Sequence, residues 1–369
     1  MPDPFLYERV YDHVLESIRD GTLAPGDRVP SEKELAERFG VSRITSKRAL
    51  QLLAEAGILD RRRGKGSFVA DRPHRLDVSP PSSRPERARR ASCLALVLPD
   101  ASEAYGLDLM CAIEERAAEH GYHLVVRRSR DRQLIEEQAI SALVSGGVAA
   151  GLIVFPVHGE FYNATLVRLV LDRSPLVLVD RHLPGIPACA VHTDNVAAAR
   201  ALTRYVAERG HERIGFVSPP MENTSSIEER LQGYESALEE RGLSTDTRLR
   251  FSGLHSTLPG SGTATDARAA DRNAVRAFLE SDPTMTAFVA CEYNIAVLLR
   301  EVLDELGRDD ALIVCFDSPR PASHAFPHIQ QDEREMGRRA VDLLVSQLSG
   351  REVPLQTLVP FELVTPPHV

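Results

Sequence analysis

The sequence predicts an α/β protein in two unequal parts: an N-terminal winged helix-turn-helix unit and a two-lobed, doubly wound parallel-sheet domain behind it. Three observations carry this. Within residues 5–70 two short helical patterns meet at a glycine and are followed by a basic, Gly-rich turn. From Ser92 onward short apolar runs alternate with amphipathic stretches to the end. Charge is also divided between the two parts: residues 1–90 hold 18 Lys/Arg against 14 Asp/Glu, a net of +4, whereas the remainder holds 26 against 39, a net of −13. A length of 369 residues is long for one domain.

The small part is taken first. In "PSEKELAERFG" (30–40), Ser31 stands as a helix N-cap with Glu34 three residues on, the capping-box spacing. Leu35, Ala36 and Phe39 give that helix an apolar face, and Gly40 ends it. In "GVSRITSKRAL" (40–50), Val41 turns the chain and Ser42 caps the next helix. Ser46, Ala49, Leu50 and Leu53 follow the i, i+3, i+4, i+7 rule and should face the core. Ile44, Lys47, Arg48 and Gln51 then point outward, with Arg43 and Thr45 at the exposed N-terminal end. That presentation suits a helix entering the major groove, where Arg or Lys reads guanine and hydroxyls hold phosphates. "GILDRRRGKGSFV" (57–69) follows as strand, basic turn and strand, a wing that lays Arg63–Gly66 along a nucleic-acid backbone or minor groove, where Gly allows close approach. Between Arg38 and Ala70 there are 8 basic and 2 acidic residues, so this region is expected to meet a polyanion, and its helix-turn-helix pattern makes double-stranded DNA the expected one.

This region resembles the winged-helix domain of GntR-type bacterial regulators over nearly all of residues 7–69. The residues carrying the resemblance are "GTLAPGDRVPSEKELAERFGVSRITSKRALQLLAEAGIL" and "RRGKGSFV". It implies DNA contacts from Lys33, Arg43, Thr45 and Lys47, and from Arg63, Gly64, Lys65 and Gly66 of the wing. Lys47 stands where many relatives have Arg, which weakens bidentate guanine reading and alters the expected operator.

Residues 71–91, "DRPHRLDVSPPSSRPERARRA", have linker composition: four prolines, many charges and little apolar content. The expected division is therefore 1–70, 71–91 and 92–369. In the last part the candidate strands are "CLALVL" (93–98), "YHLVV" (122–126), "GLIVF" (151–155), "PLVLV" (175–179), "RIGFV" (213–217), "TAFVA" (286–290) and "ALIVCF" (311–316). Helical patterns lie between them, for example Gly106–His120, Val196–Gly210, Glu228–Gly242, Tyr293–Leu306 and Glu333–Leu348. Nearly unbroken apolar strands joined by helices mean parallel sheets covered on both faces. A barrel is the structural alternative.

An aminotransferase-like body would need a lysine for a pyridoxal phosphate Schiff base. The only lysines are Lys33, Lys47 and Lys65, all in the small part, so no cofactor is expected. The large part is similar to the sugar-sensing domain of LacI-type regulators and to periplasmic sugar-binding proteins. The resemblance rests on "LALVLPD", "PLVLVDRHLPG", "HTDNVAAARALTRYVAERGHERIGFV", "ERLQGYESALEERG", "VCFDS" and "HIQQDEREMGRRAVDLL". Together with the GntR-type head it implies a chimera of the kind seen in arabinose-responsive repressors.

Ligands of such folds sit between two lobes at the carboxyl ends of the strands. Asp180 and Arg181 follow "PLVLV", Asp317 follows "ALIVCF", Arg230 opens a helix, and Gln331 lies at an expected hinge crossing. The resemblance places these five at sugar-contacting positions, and carboxylates with guanidinium groups suit a polyol whose hydroxyls both donate and accept. The chain has no Trp, so stacking on a sugar ring falls to Tyr105, Phe155, Phe316 or Tyr293, with Tyr105 and Phe155 the preferred pair. Relatives often place Asn-Asp after the strand ending at Ala290; here Cys291-Glu292 stands there, which leaves the ligand's identity open and puts Glu292 in the expected site.

Other signals are weaker. His158, His182 and His192 read as surface histidines, "GSGTAT" (260–265) as a surface loop, and Cys93, Cys111, Cys189, Cys291 and Cys315 as core residues of a reducing compartment. No metal-spaced set and no nucleophile–base pair appears, so neither a metal nor catalysis is expected. Secretory-signal features and a bilayer-length apolar run are missing from the sequence, so the cytoplasm is expected and no membrane. The expected function is a ligand-responsive transcriptional regulator, a repressor acting as a homodimer on an inverted-repeat operator. The rival is a solute-binding protein delivering a sugar to a transporter.

Overall fold

The computed structural model describes residues 6–41, 43–55, 58–62, 66–70, 93–158, 163–257, 265–319 and 322–366; a few helix and strand residues within these, Arg43 and Arg48 among them, are described by their backbone alone. The chain divides into two compact units, Met1–Pro85 and Glu86–Val369. The expected linker, 71–91, lies outside the described residues.

In the first unit, helices α1 (Leu6–Arg19), α2 (Glu32–Phe39) and α3 (Arg43–Glu55) precede strands β1 (Leu59–Arg62) and β2 (Gly66–Val69). Helix α2 starts where its capping box places it: the Ser31 hydroxyl accepts from the Glu34 amide and the Glu34 carboxylate accepts from Ser31. It stops at Gly40, whose φ of 64° is the left-handed conformation glycine tolerates best. The expected inward face of α3 is buried: Ser46, Ala49 and Leu53 at 0 % exposure and Leu50 at 1 %. They pack with Val10, Val14 and Leu15 of α1, Leu35 of α2, and Ile58 and Val69. The buried Ser46 hydroxyl is satisfied by donating to the Glu32 carbonyl at 2.6 Å, which ties α3 to the start of α2. The two strands form an antiparallel hairpin from Leu59↔Val69 to Arg62↔Gly66.

The second unit is wound twice in the same pattern. Its first lobe holds β3 (Cys93–Leu98), α4 (Leu107–Glu119), β4 (His123–Arg128), α5 (Gln133–Ser145), β5 (Leu152–Val154), α6 (Ala164–Leu171), β6 (Leu176–Val179) and β7 (Ala190–Thr193). The chain then crosses to a second lobe of α7 (Asn195–Ala207), β8 (Ile214–Ser218), α8 (Ser225–Glu240), β9 (Arg250–Ser252), α9 (Thr265–Ser281), β10 (Ala287–Ala290), α10 (Tyr293–Glu305), β11 (Leu312–Phe316) and β12 (His328–Gln331). It returns as α11 (Glu333–Leu348) and β13 (Gln356–Val359) and crosses once more into β14 (Phe361–Val364). The sheet orders, β13-β7-β6-β5-β3-β4 and β14-β12-β11-β10-β8-β9, match position for position. All pairs are parallel except β12 with β14. Two open sheets rule out the barrel.

All seven expected strands are present. Strand β4 is shifted toward Arg128, because as an edge strand it is half-buried or exposed along its length and carries less apolar signal than its neighbours. Strands β7, β9, β12, β13 and β14 were not anticipated; they are short, and β12 reads "HIQQ", half polar.

Helix packing depends on small residues. A Cβ at Gly233 of α8 would lie 2.3 Å from the Val196 carbonyl oxygen and 2.9 Å from Ala199 Cβ on α7. Gly337 of α11 meets the Leu109 carbonyl of α4 at 2.9 Å in the same way. Backbone cannot move aside cheaply, so Gly233→Ala is expected to cost about 2 kcal/mol. A lowered urea midpoint at unchanged slope checks this; an unchanged midpoint would show that α7 and α8 separate freely.

Candidate functional site

A cavity of about 360 Å³ lies between the two lobes of the second unit, at the carboxyl ends of both sheets. The repeated winding puts an aspartate at the same place in each lobe: Asp180 directly after β6 and Asp317 directly after β11. Both adopt left-handed backbone, φ 67° and 58°, which non-glycine residues enter only at a cost. Each still donates its amide to the neighbouring strand, Asp180 to the Val191 carbonyl (3.0 Å) and Asp317 to that of Ile329 (2.8 Å). Both aspartates line the cavity.

On the first-lobe wall, the Tyr105 hydroxyl donates to Asp180 Oδ1 at 2.5 Å, and its ring meets Phe155 edge-on with centroids 6.1 Å apart. The Arg181 guanidinium lies 4.9 Å from the Phe155 ring and donates to the Pro156 carbonyl at 2.8 Å. Its Nη2 is 3.0 Å from His158 Nε2, and His158 Nδ1 is 3.1 Å from Asp131 Oδ1. A guanidinium only donates, so His158 Nε2 accepts and its proton sits on Nδ1, facing Asp131. Burial, then the Arg181 charge, hold the His158 pKa below its ordinary value, so the ring is neutral. Asp131 itself has φ 54°, a third carboxylate in left-handed backbone. Arg181 Nε finds no hydrogen-bond acceptor, although Asp180 Oδ2 is 3.3 Å away.

On the second-lobe wall, Arg230 projects from α8 with its guanidinium 3.8 Å over the Phe316 ring. It donates to Asn195 Oδ1 at 2.9 Å and to the Cys291 carbonyl at 2.8 Å. Asp317 accepts from the Gln331 amide side chain at 2.8 Å. Burial pushes the Asp317 carboxyl up to about 7 against the pull of Arg230. Burial likewise raises Glu292 to about 6. Glu333, just past the crossing from β12 to α11, accepts from the Gly106 amide (2.6 Å) and the Leu109 amide (3.3 Å) in the first turn of α4. Burial, with the Asp317 charge second, takes Glu333 to about 8.

Tyr105, Phe155, Asp180, Arg181, Arg230, Glu292, Asp317 and Gln331 therefore all line one cavity. Sequence reasoning missed His158, Ser226, Thr257 and Asn294 on its wall, and Asp131, Asn195 and Glu333 behind it. The surface assignment of the histidines is corrected. The His158 side chain is 9 % exposed, His192 is buried against Thr193, and half-buried His182 meets Glu229 at 2.7 Å. Each lies near a strand end, as Asp180 does, and that shared position was the available signal.

Of the residues expected to meet DNA, Lys47 is exposed on α3, opposite the buried face, and Lys33 is exposed on α2, where it pairs with Glu37 at 3.8 Å. Thr45 is half-buried, and Gly66 opens β2 at φ 108° with the Arg28 side chain beside it. Arg43 and Arg48 lie on α3 with only their backbone described; Ser42, Arg63, Gly64 and Lys65 fall outside the described residues, as does most of "GSGTAT". The five cysteines are free; Cys189, Cys291 and Cys315 are buried, whereas Cys93 and Cys111 are partly exposed and so not wholly core. Among the described residues no group of His, Cys, Asp or Glu could hold a metal ion, and no helix is long and apolar enough to cross a membrane.

The raised Asp317 carboxyl fixes a sign. Between the ordinary aspartate pKa and about 7 the folded state keeps a proton that the unfolded state has released, so stability falls as pH rises through that window. Relative to Asp317→Asn, the protein's melting midpoint is expected to fall from about pH 4 to 7 and then run parallel, a loss of a few kcal/mol. Parallel midpoints across the whole range in a thermal titration would contradict the buried, ligand-free carboxyl.

Residues 6–69 match the family of bacterial regulatory proteins called gntR, and residues 203–365 match the periplasmic binding protein-like domain. The arabinose metabolism transcriptional repressor of Geobacillus stearothermophilus is 25% identical over 362 residues, 94% of this chain and 92% of that protein. Its counterpart in Halalkalibacterium halodurans is 27% identical over 64% of this chain and 61% of its own length. The regulator GalR of Escherichia coli is 26% identical over 71% of this chain and 74% of its own. Among solved structures, the CelR–cellobiose complex superposes with a TM-score of 0.64 at 21% identity, over 91% of this chain and 99% of CelR. CcpA of Lactococcus lactis gives 0.63 at 19%, over 74% of this chain and 97% of its own. These relatives are transcription regulators, not enzymes or carriers feeding a transporter. The chain is a ligand-responsive transcriptional regulator that joins a gntR-family DNA-binding domain to a periplasmic-binding-protein-like domain.

Proposed function

We propose that the protein is a cytoplasmic repressor, a homodimer on an inverted-repeat operator, that leaves the DNA when a sugar or sugar-like effector occupies the cleft. The observation that carries this reading is the cleft wall itself. Carboxylates and guanidinium groups from both lobes meet around one cavity, with Tyr105, Phe155 and Phe316 beside them. A hydroxyl-rich ring uses such a set fully, because each hydroxyl can donate to Asp180 or Asp317 and accept from Arg181 or Arg230. The Geobacillus relative's name adds support, as does the cellobiose bound to CelR.

In this reading residues 1–70 read the operator, 71–91 link, and 92–369 sense. Lys33, Arg43, Thr45, Lys47 and Arg48, with Ser42 and the wing residues Arg63–Gly66, contact DNA. An effector that binds one arrangement of the lobes more tightly shifts the dimer by that difference alone, and a few kcal/mol suffices. No catalytic residue and no cofactor is assigned.

Two substitutions separate the halves. Lys47→Ala is expected to weaken operator binding about tenfold and to flatten its salt dependence by about one phosphate contact, with effector binding intact. Arg230→Ala is expected to hold the operator at every effector concentration. Gel-shift titrations with and without effector check both, and release of Arg230→Ala by effector at the unaltered protein's concentration would refute the site.

A further inference from the structure

The chemical class of the effector can be narrowed from the charge of the cleft; this step rests on the sugar-site reading above. The buried cations are already engaged. Arg230 is held by Asn195 and the Cys291 carbonyl, and Arg181 by the Pro156 carbonyl and His158, with Asp180 Oδ2 3.3 Å from its Nε. His158 adds no charge, since it accepts from Arg181 and gives its proton to Asp131.

Among the described residues four carboxylates line the cavity against two guanidinium groups. Asp100 pairs with Arg128 and Asp180 with Arg181, which leaves Glu292 and Asp317 to share Arg230, with Asp131 behind them. Asp180 has the Tyr105 hydroxyl and Asp317 the Gln331 amide as donors. Glu292 lines the cavity near Thr257, whose hydroxyl makes no hydrogen bond. Burial raises both Glu292 and Asp317, and the Arg230 charge acts against it. Arg181 Nε, on a side chain 9 % exposed, separately lacks a hydrogen-bond acceptor and lines the same cavity, which calls for a ligand oxygen.

We infer that the effector is a polyhydroxylated ring bearing a protonated amine, an amino sugar or aminocyclitol, whose ammonium pairs with Glu292 while its oxygens face Arg181. An ammonium there completes the balance and removes the cost of a buried, unanswered carboxylate. A carboxylate or phosphate on the ring would add a like charge to the excess and is excluded.

The test is calorimetric titration of the full chain, at about pH 7, with matched trios in the gluco, galacto and manno series: the hexose, its 2-amino-2-deoxy form and its uronic acid. In at least one series the amino sugar is expected to bind about tenfold or more tighter than the hexose, with no binding of the uronate. Glu292→Gln, first shown to melt like the unaltered protein without sugar, is expected to lose that preference. A hexose that binds as tightly as its amino form, a uronate that binds best, or a preference that survives Glu292→Gln overturns this inference and leaves the sugar reading standing. Silence from every trio overturns both.

Discussion

An ionised group taken out of water must find a partner or change its protonation state, and the second unit is organised around that requirement. The winding of one lobe is repeated in the other, and each copy delivers an aspartate in left-handed backbone to the cavity and lays an arginine over a phenylalanine ring. Asp180 with Arg181 above Phe155 answers Asp317 with Arg230 above Phe316. An aromatic face is a partner that does not consume an arginine's donors, so the guanidinium edges stay available to backbone carbonyls and to a ligand. Neither lobe alone could enclose these charges; the cavity exists because both contribute a wall.

Cleft residues also sit on the chain segments that pass between the lobes. Asn195, which holds Arg230, is the first residue of α7 after the crossing from β7. Gln331, which holds Asp317, is the last of β12 before the crossing to α11, and Glu333 follows it with its carboxylate on the first turn of α4. A ligand that moves Arg230 or Asp317 acts directly on a crossing. The buried Glu333 bonds then carry the position of one crossing to a first-lobe helix, where two amides at the positive end of α4 fix the carboxylate.

Much of this was legible in the residue order. Strands such as "LVLV" and "CLALVL" announce themselves because burial on both faces leaves no polar alternation. The polar residue that follows such a strand falls at its carboxyl end whatever else happens, which is why Asp180, Arg181 and Asp317 could be named. The inner face of α3 followed from 3.6-residue spacing, and Ser31 with Glu34 from cap chemistry. His158 had its strand-end position as a signal, but its pairing with Asp131 was illegible for a physical reason. A buried polar pair is stabilised by a partner far along the chain, and nothing local to either residue marks it. Lys33 is the opposite case, because its exposed pair with Glu37 four residues on is local and follows from helix spacing.

The division of charge joins the two activities. Residues beyond 90 carry 39 acidic against 26 basic side chains, and duplex DNA repels such a surface. Operator affinity must then come from the short basic stretch between Arg38 and Ala70, where 8 Lys/Arg meet 2 Asp/Glu. A chain acidic throughout would be held off the polyanion, and one basic throughout would cling to any sequence. Confining the cations to one small unit leaves the sensing unit free to be acidic, and an acidic cleft draws cationic solutes and turns away anionic ones. The surface charge thus limits DNA contact to the unit built for it.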